Sequence, residues 1–231
     1  MVRSFPHTVG IVVAAGSGRR LGSKIPKAFV PVRGVSMARR SLELLCASGV
    51  FSSLVLVVPA EGDYWSADDS RAVQTATQLP FAVIPGGATR QLSVKEALRY
   101  CREAVAEAEF VAVHDAARCL TPPSVVRCVV EAAWAHGAAT AAVPSVDTLR
   151  RVGSARTIIG EVDRADVWQI QTPQAFRVDL LWRGHQLPSN GATDDSSLVT
   201  PFHPVTVVEG SRLGLKITTP EDLMFAEANA G

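Results

Sequence analysis

The sequence predicts an α/β fold: a mainly parallel, mixed sheet flanked by helices, with a β-arm that leaves it. Three observations carry this expectation. Short apolar runs at residues 9–15, 54–58, 81–84, 110–113 and 138–143 are rich in Val, Ile and Ala and lack strict polar alternation, the pattern of strands buried on both faces. Segments with helical spacing separate these runs, as in βα units. After residue 143 the rhythm breaks into a stretch with alternating polar and apolar positions and no good helix.

The elements follow in order. Residues 9–15 form the first strand. Residues 36–48 form a helix with Met37, Leu42, Leu44 and Leu45 on a broad apolar face, stopped by Gly49. Residues 93–108 are rich in helix formers. Residues 122–136 open with prolines, which suit a first helical turn, and end at Gly137. Residues 147–171 carry Arg150, Arg151, Arg156 and Arg164 and read as a β-arm able to pack on a second subunit, or else as a surface hairpin on a monomer. Residues 178–186 form a short helix, and residues 205–209 and 215–217 read as strands. Thr219 caps a last helix with Glu221 and Asp222 in its first turn. The chain reads as a single domain over residues 1–231, with 147–171 as the extension.

Composition narrows the function classes. A chain of 231 residues buries roughly 70% of its unfolded surface and needs no disulfide or metal staple. Its 23 basic and 22 acidic side chains lack the bias of a duplex-binding surface, so no nucleic-acid partner is expected. Cys46, Cys101, Cys119 and Cys128 show no CxxC spacing and read as reduced thiols. The first apolar run is far short of the roughly 20 residues that span a bilayer, and residues 1–7 hold no apolar leader; a cytoplasmic protein without a membrane partner is expected.

The chemistry concentrates after the first strand, in Ala14-Ala15-Gly16-Ser17-Gly18-Arg19-Arg20-Leu21-Gly22. Glycines there let backbone N–H groups approach phosphate oxygens. The loop fits neither common template. Leu21 stands where GxGxxG requires glycine, and the Walker lysine is missing. Instead GxG is followed by two arginines and then by Pro26-Lys27. Fixed cations of this kind suit attack on an α-phosphorus, whose transition state spreads charge over the non-bridging oxygens and the departing pyrophosphate.

This loop, with Gly86-Gly87-Ala88-Thr89-Arg90-Gln91-Leu92-Ser93, Val113-His114-Asp115-Ala116-Ala117-Arg118 and Thr172-Pro173-Gln174, resembles the sugar-nucleotide pyrophosphorylases. Within them it is most similar to the 2-C-methyl-D-erythritol 4-phosphate cytidylyltransferase family, from about residue 9 to 228. The resemblance implies a Rossmann-like sheet and transfer of CMP from CTP to a polyol phosphate with release of pyrophosphate. It implies that Gly16, Ser17 and Gly18 wrap the triphosphate, and that Arg20 and Lys27 stabilise the pentacoordinate phosphorus. Ala14, Ala15, Gly87 and Ser93 would frame the cytosine, Ser93 offering its hydroxyl to the base, with Arg90 bracing their loop. Asp115 would lie near ribose, acceptor and Mg2+ or another divalent cation, as the one protein ligand to that metal. Arg118, Thr148, Arg164, Thr172, Thr193 and Lys216 would serve the acceptor, with Arg164 and Lys216 also catalytic. Thr148 and Arg164 ride on the arm, so the resemblance implies a homodimer with arms exchanged between active sites.

The chain departs from the family pattern in three places: Val13 replaces a proline, Ala88 stands where an acidic residue is common, and Gly210-Ser211-Arg212-Leu213-Gly214 is less polar than in relatives. The nearest rival reading is a relative that uses ribitol 5-phosphate or another polyol phosphate with CTP. A nicotinamide-dependent oxidoreductase is disfavoured by the late Gly22 and the missing ribose-binding acid. A non-catalytic nucleotide-binding module is disfavoured by Arg20, Lys27 and Asp115. His7, His136, His185 and His203 lie outside the motifs and read as structural.

Overall fold

The computed structural model describes residues 5–16, 21–23, 25–188 and 192–231. A seven-stranded sheet in the order β11-β7-β10-β6-β1-β4-β5 forms its centre. Strand β1 (Thr8–Val13) leads through a small hairpin, β2 (Pro31–Val32) and β3 (Val35–Ser36), into α1 (Met37–Ser48). The chain then moves outward through β4 (Ser53–Val58), α2 (Ala67–Thr77) and β5 (Phe81–Pro85). Helix α3 (Arg90–Ala104) carries it back across the sheet to β6 (Phe110–Asp115), on the other side of β1. Beyond lie α4 (Pro123–His136) and β7 (Ala138–Pro144). After the hairpin β8 (Leu149–Val152) and β9 (Ile158–Val162) come β10 (Trp168–Arg177), α5 (Val178–Gln186), α6 (Ser196–Val199), β11 (Thr206–Glu209) and α7 (Pro220–Asn229).

The strand order reverses between β1 and β6, which lie parallel with Val13 beside Asp115. A reversal of this kind opens a crevice at the carboxyl ends of the strands. Within this sheet β10 alone, among the described residues, runs antiparallel to its neighbours β6 and β7.

Alternation along β1 explains the two layers. Val9 and Ile11 face a core that includes Leu98 of α3 and Leu181 of α5, whereas Val12 faces one that includes Leu42 of α1 and Val129 of α4. Helix ends follow local chemistry. Ser36 accepts from the Arg39 N–H to start α1, and Gly49 closes it at φ 70°. Gly137 closes α4 in the same left-handed conformation, φ 85°.

Two expectations are corrected. Residues 168–171 do not belong to the arm: Trp168, Gln169 and Ile170 pair with β7, and the strand continues after a register shift to Arg177. Gln169, Gln171 and Gln174 gave it a polar look that concealed a strand of the main sheet. Residues 215–217 are not a strand; they follow a 3₁₀ turn, Arg212–Gly214, and are tied down by the Ile217 N–H donating to the Ala117 carbonyl.

Candidate functional site

A cleft of about 690 Å³ opens at the carboxyl ends of β1, β5 and β6. Ala14, Ala15 and Gly16 line it directly after β1, and Lys27 enters from the 3₁₀ turn Lys27–Phe29, whose Ala28 and Phe29 are buried. The loop after β5 forms the facing wall. Thr89 caps α3 by accepting from the Leu92 N–H at 3.1 Å. Ser93, almost fully buried, donates to the Thr89 carbonyl at 2.9 Å and accepts from the Gly87 N–H at 3.1 Å. Its hydroxyl therefore holds the loop. Gly86 permits this close packing, since a Cβ there would sit 2.6 Å from the Ala15 Cβ and 2.7 Å from the Ser93 Oγ.

Asp115 ends β6 at the cleft floor, beside Val13, and is buried. Its Oδ1 accepts from Arg90 Nε at 2.8 Å and its Oδ2 from Lys216 Nζ at 2.6 Å. Burial alone would raise the Asp115 carboxyl, but Arg90 and Lys216 outweigh it and hold the group well below the usual carboxylate range. Arg90 reaches further: its Nη2 donates at 2.8 Å to Oδ2 of Asp195, a nearly fully buried residue. Burial opposes the Arg90 cation, yet Asp195 and Asp115 outweigh burial and keep it charged.

The back of the site is fixed from β10. The Asp115 N–H donates to Thr172 Oγ1 at 3.0 Å, and that oxygen lies 3.2 Å from His114 Nδ1. Burial pushes the His114 imidazole down to about 4, so it is neutral near pH 7. Arg118 donates to the Gly214 carbonyl at 2.7 Å and the Ile170 carbonyl at 3.2 Å. A second hollow, about 850 Å³, adjoins the first and is lined in part by Arg118, Gln169, Gln171 and Arg212. Lys216 lines both.

The structure thus brings Ala14, Ala15, Gly16 and Lys27 to one wall of the cleft, and Gly87, Arg90 and Ser93 to the other, with Asp115 and Lys216 between. Ser17, Gly18 and Arg20 lie outside the described residues. Thr148, Arg164, Thr172 and Thr193 line neither hollow. Thr172 is buried behind Asp115, Thr193 is exposed, and Thr148 and Arg164 are exposed at the base of the β8–β9 hairpin. There Arg164 donates to the Val146 carbonyl.

Sequence reasoning missed Asp195, and it placed Gln174 within a motif without giving it a role. Adjacent aspartates before a short helix resemble an ordinary cap, yet Asp195 makes no side-chain bond to the α6 backbone and turns to Arg90 instead.

Comparison with known proteins agrees with the geometry. The family model described as "IspD: 2-C-methyl-D-erythritol 4-phosphate cytidylyltransferase" matches residues 8–230. The chain is 42% identical over 221 residues to a protein of that name from Nocardia farcinica, covering 95% of this chain and 92% of the relative. It is likewise 42% identical over 225 residues to one from Saccharopolyspora erythraea, covering 95% and 97%. Among solved structures, 2-C-methyl-D-erythritol 4-phosphate cytidylyltransferase from Thermus thermophilus superposes with a TM-score of 0.75 at 30% identity, covering 95% of this chain and 97% of that one. The 4-diphosphocytidyl-2C-methyl-D-erythritol synthase from Anaerococcus prevotii superposes with a TM-score of 0.80 at 26% identity, covering 96% and 97%.

Proposed function

The chain belongs to the 2-C-methyl-D-erythritol 4-phosphate cytidylyltransferase family, and on that premise we propose how its residues divide the work of the reaction. It catalyses CTP-dependent cytidylyl transfer to 2-C-methyl-D-erythritol 4-phosphate in the methylerythritol phosphate route to isoprenoids. A phosphate-monoester oxygen of the acceptor attacks the α-phosphorus of CTP. The new P–O bond forms as the bond to the β-phosphate bridging oxygen breaks, and pyrophosphate leaves. The nucleophile is already anionic near neutral pH, so the site needs to hold two anions together rather than supply a strong base.

One observation carries the assignment: Lys216 lies where two hollows meet, one walled by the glycine-rich loop, the other by Arg118 and Arg212. CTP occupies the first, with Ala14, Ala15 and Gly87 against the base, Gly16 N–H toward the phosphates and Lys27 beside them. Ser17, Gly18 and Arg20, outside the described residues, keep in this reading the roles toward the phosphates that the resemblance implies. The acceptor phosphate occupies the second, with Arg118 and Lys216. Asp115 holds Lys216 at the junction through its 2.6 Å bond.

Thr148 and Arg164 belong in this reading to the site of a second copy. The β8–β9 hairpin exposes Val152, Ile158 and Ile159, an apolar set suited to covering by a partner. A homodimer with exchanged arms would bring Arg164, whose fork matches phosphate oxygens, to the partner's acceptor.

The donor set suits a cation carried in on the nucleotide. Among the described residues no three His, Cys, Asp or Glu converge to hold a metal. Each Asp115 oxygen keeps a lone pair beyond its bond to Arg90 or Lys216. Mg2+ or another divalent cation is therefore proposed, bound by phosphate oxygens and water with Asp115 as the carboxylate that would join them. When bound, it supplies positive charge to the phosphates. Among the described residues no helix is long and apolar enough to cross a membrane. The cytoplasm is the proposed setting, because a triphosphate substrate does not cross a bilayer unaided.

Pyrophosphate release with CTP and Mg2+ tests the reading, comparing 2-C-methyl-D-erythritol 4-phosphate with ribitol 5-phosphate. Release with the first alone is expected. Release with ribitol 5-phosphate alone would move the enzyme to another acceptor.

A further inference from the structure

We infer that Asp195, which lines neither hollow, is a positioning residue that sets the geometry of Arg90, Asp115 and Lys216. The inference rests on the proposed placement of Asp115 and Lys216 at the reacting phosphates.

Four side chains alternate in sign across the site: Asp195, Arg90, Asp115 and Lys216, joined by contacts of 2.8, 2.8 and 2.6 Å. Both acids are buried, whereas Lys216 remains partly exposed at the far end. Asp195 is anchored to the sheet itself. Gln174 of β10, fully buried, accepts with Oε1 from the N–H groups of Asp195 at 3.0 Å and Ser196 at 2.9 Å. Its Nε2 donates to Asp194 Oδ2 at 2.9 Å and to the Gln171 carbonyl at 3.3 Å. Both donors and the acceptor of one buried glutamine are thus committed to holding this corner in place.

The geometry of Arg90 explains what the corner does. Nε and Nη2 lie on one edge of the planar guanidinium, an edge that ordinarily grips both oxygens of one carboxylate. Here Nε goes to Asp115 and Nη2 to Asp195. By occupying Nη2, Asp195 limits Arg90 to a single oxygen of Asp115 and leaves Oδ2 for Lys216. Without the Asp195 charge, Arg90 swings to take both Asp115 oxygens. Lys216 then loses its anchor, and the cleft gains an unbalanced positive charge.

The consequence is a split between binding and turnover. Extra positive charge keeps or strengthens ground-state binding of the triphosphate, while a displaced Lys216 no longer meets the transition state. In Asp195→Asn, kcat is expected to fall on the order of 100-fold, with KM for CTP unchanged or lower. The double variant Asp195→Asn/Lys216→Ala should be no slower than Lys216→Ala alone, because the two substitutions remove one function. A fold defect would instead lower the activity of either background equally. Should Asp195→Asn fail to fold by circular dichroism, Asp195→Ser carries the same test: it likewise removes the carboxylate that occupies Arg90 Nη2, and the same split is expected.

Wild-type kcat in these variants beside an impaired Lys216→Ala would overturn the role of Asp195 and leave the site reading intact. Wild-type kcat in Lys216→Ala would overturn the site reading itself. Additive losses in the double variant would show that Asp195 does not act through Lys216.

Discussion

At the cleft, Asp195, Arg90, Asp115 and Lys216 answer one another's charges within a single chain. On the β8–β9 hairpin, two strands form a sheet of their own and turn Val152, Ile158 and Ile159 outward, with 58%, 69% and 68% of their surface exposed. The first region holds its own counterparts; the second presents apolar surface and an exposed Arg164. Buried charges must be paired where they lie, so the cleft can be read from one copy. A solvent-facing hairpin carries no such requirement, and its meaning depends on what covers it.

The sharpest test of the cleft side is Lys27→Ala. Lys27 lines the nucleotide wall from a turn anchored by buried Ala28 and Phe29, so truncation should spare the fold. A loss of about 100–1000-fold in kcat is expected from steady-state pyrophosphate release, with an unchanged thermal midpoint. Wild-type turnover would take Lys27 out of the transition state.

The comparison itself is at stake in a mixing experiment. If the arm serves a partner, Arg164→Ala is impaired, and so is Lys27→Ala. Subunits exchanged between the two form mixed dimers in which one site has both residues. Roughly a quarter of the wild-type sites should then reappear. No recovery after exchange, verified by mass spectrometry of differently tagged subunits, would mean that each site is built from one chain and that the arm is only a surface hairpin.

How far the sequence revealed these regions followed from how each element is stabilised. Strands β1, β4, β6 and β7 are buried on both faces, which forces continuous apolar runs that any reader can find. Gly49 and Gly137 mark the ends of α1 and α4 because their left-handed backbone disfavours a side chain. Helix α2 escaped notice because Val73 is its only buried residue. Its start is specified by the capping box of Ser66 and Asp69 rather than by an apolar stripe. Strand β10 escaped because its buried positions include Gln171, Thr172 and Gln174, whose polar groups are satisfied by Ser211, by β6 and by Asp195 respectively. In the site, Lys27, Arg90, Asp115 and Lys216 were legible through motifs that resemble a family. Asp195 was not, because its partner Arg90 lies 105 positions away and no local pattern links them.

The same contrast appears as a difference in acid sensitivity, the smallest effect expected. His114 lies fully buried behind Asp115, with Nε2 unpartnered, and His185 in α5 is buried with neither ring nitrogen bonded. Burial lowers both imidazoles, His114 to about 4. Such groups stay neutral in the folded chain but take up protons in the unfolded one. Their contribution to stability is full above the unfolded value of about 6.5 and is lost as pH falls from there toward the folded value. Each should add a slope of up to about 1.4 kcal/mol per pH unit in that window. Asp115 acts lower down: its depressed carboxyl gives stability above the unfolded value of about 3.9, and that is lost only in stronger acid. Urea unfolding of the metal-free protein from pH 7.5 to 4.5 should therefore show falling stability, and His114→Asn should flatten the curve. Arg164→Ala, which changes an exposed arm residue, should leave its slope as it was. An equal slope in wild type and His114→Asn would mean that the ring is charged in the folded protein, against its burial.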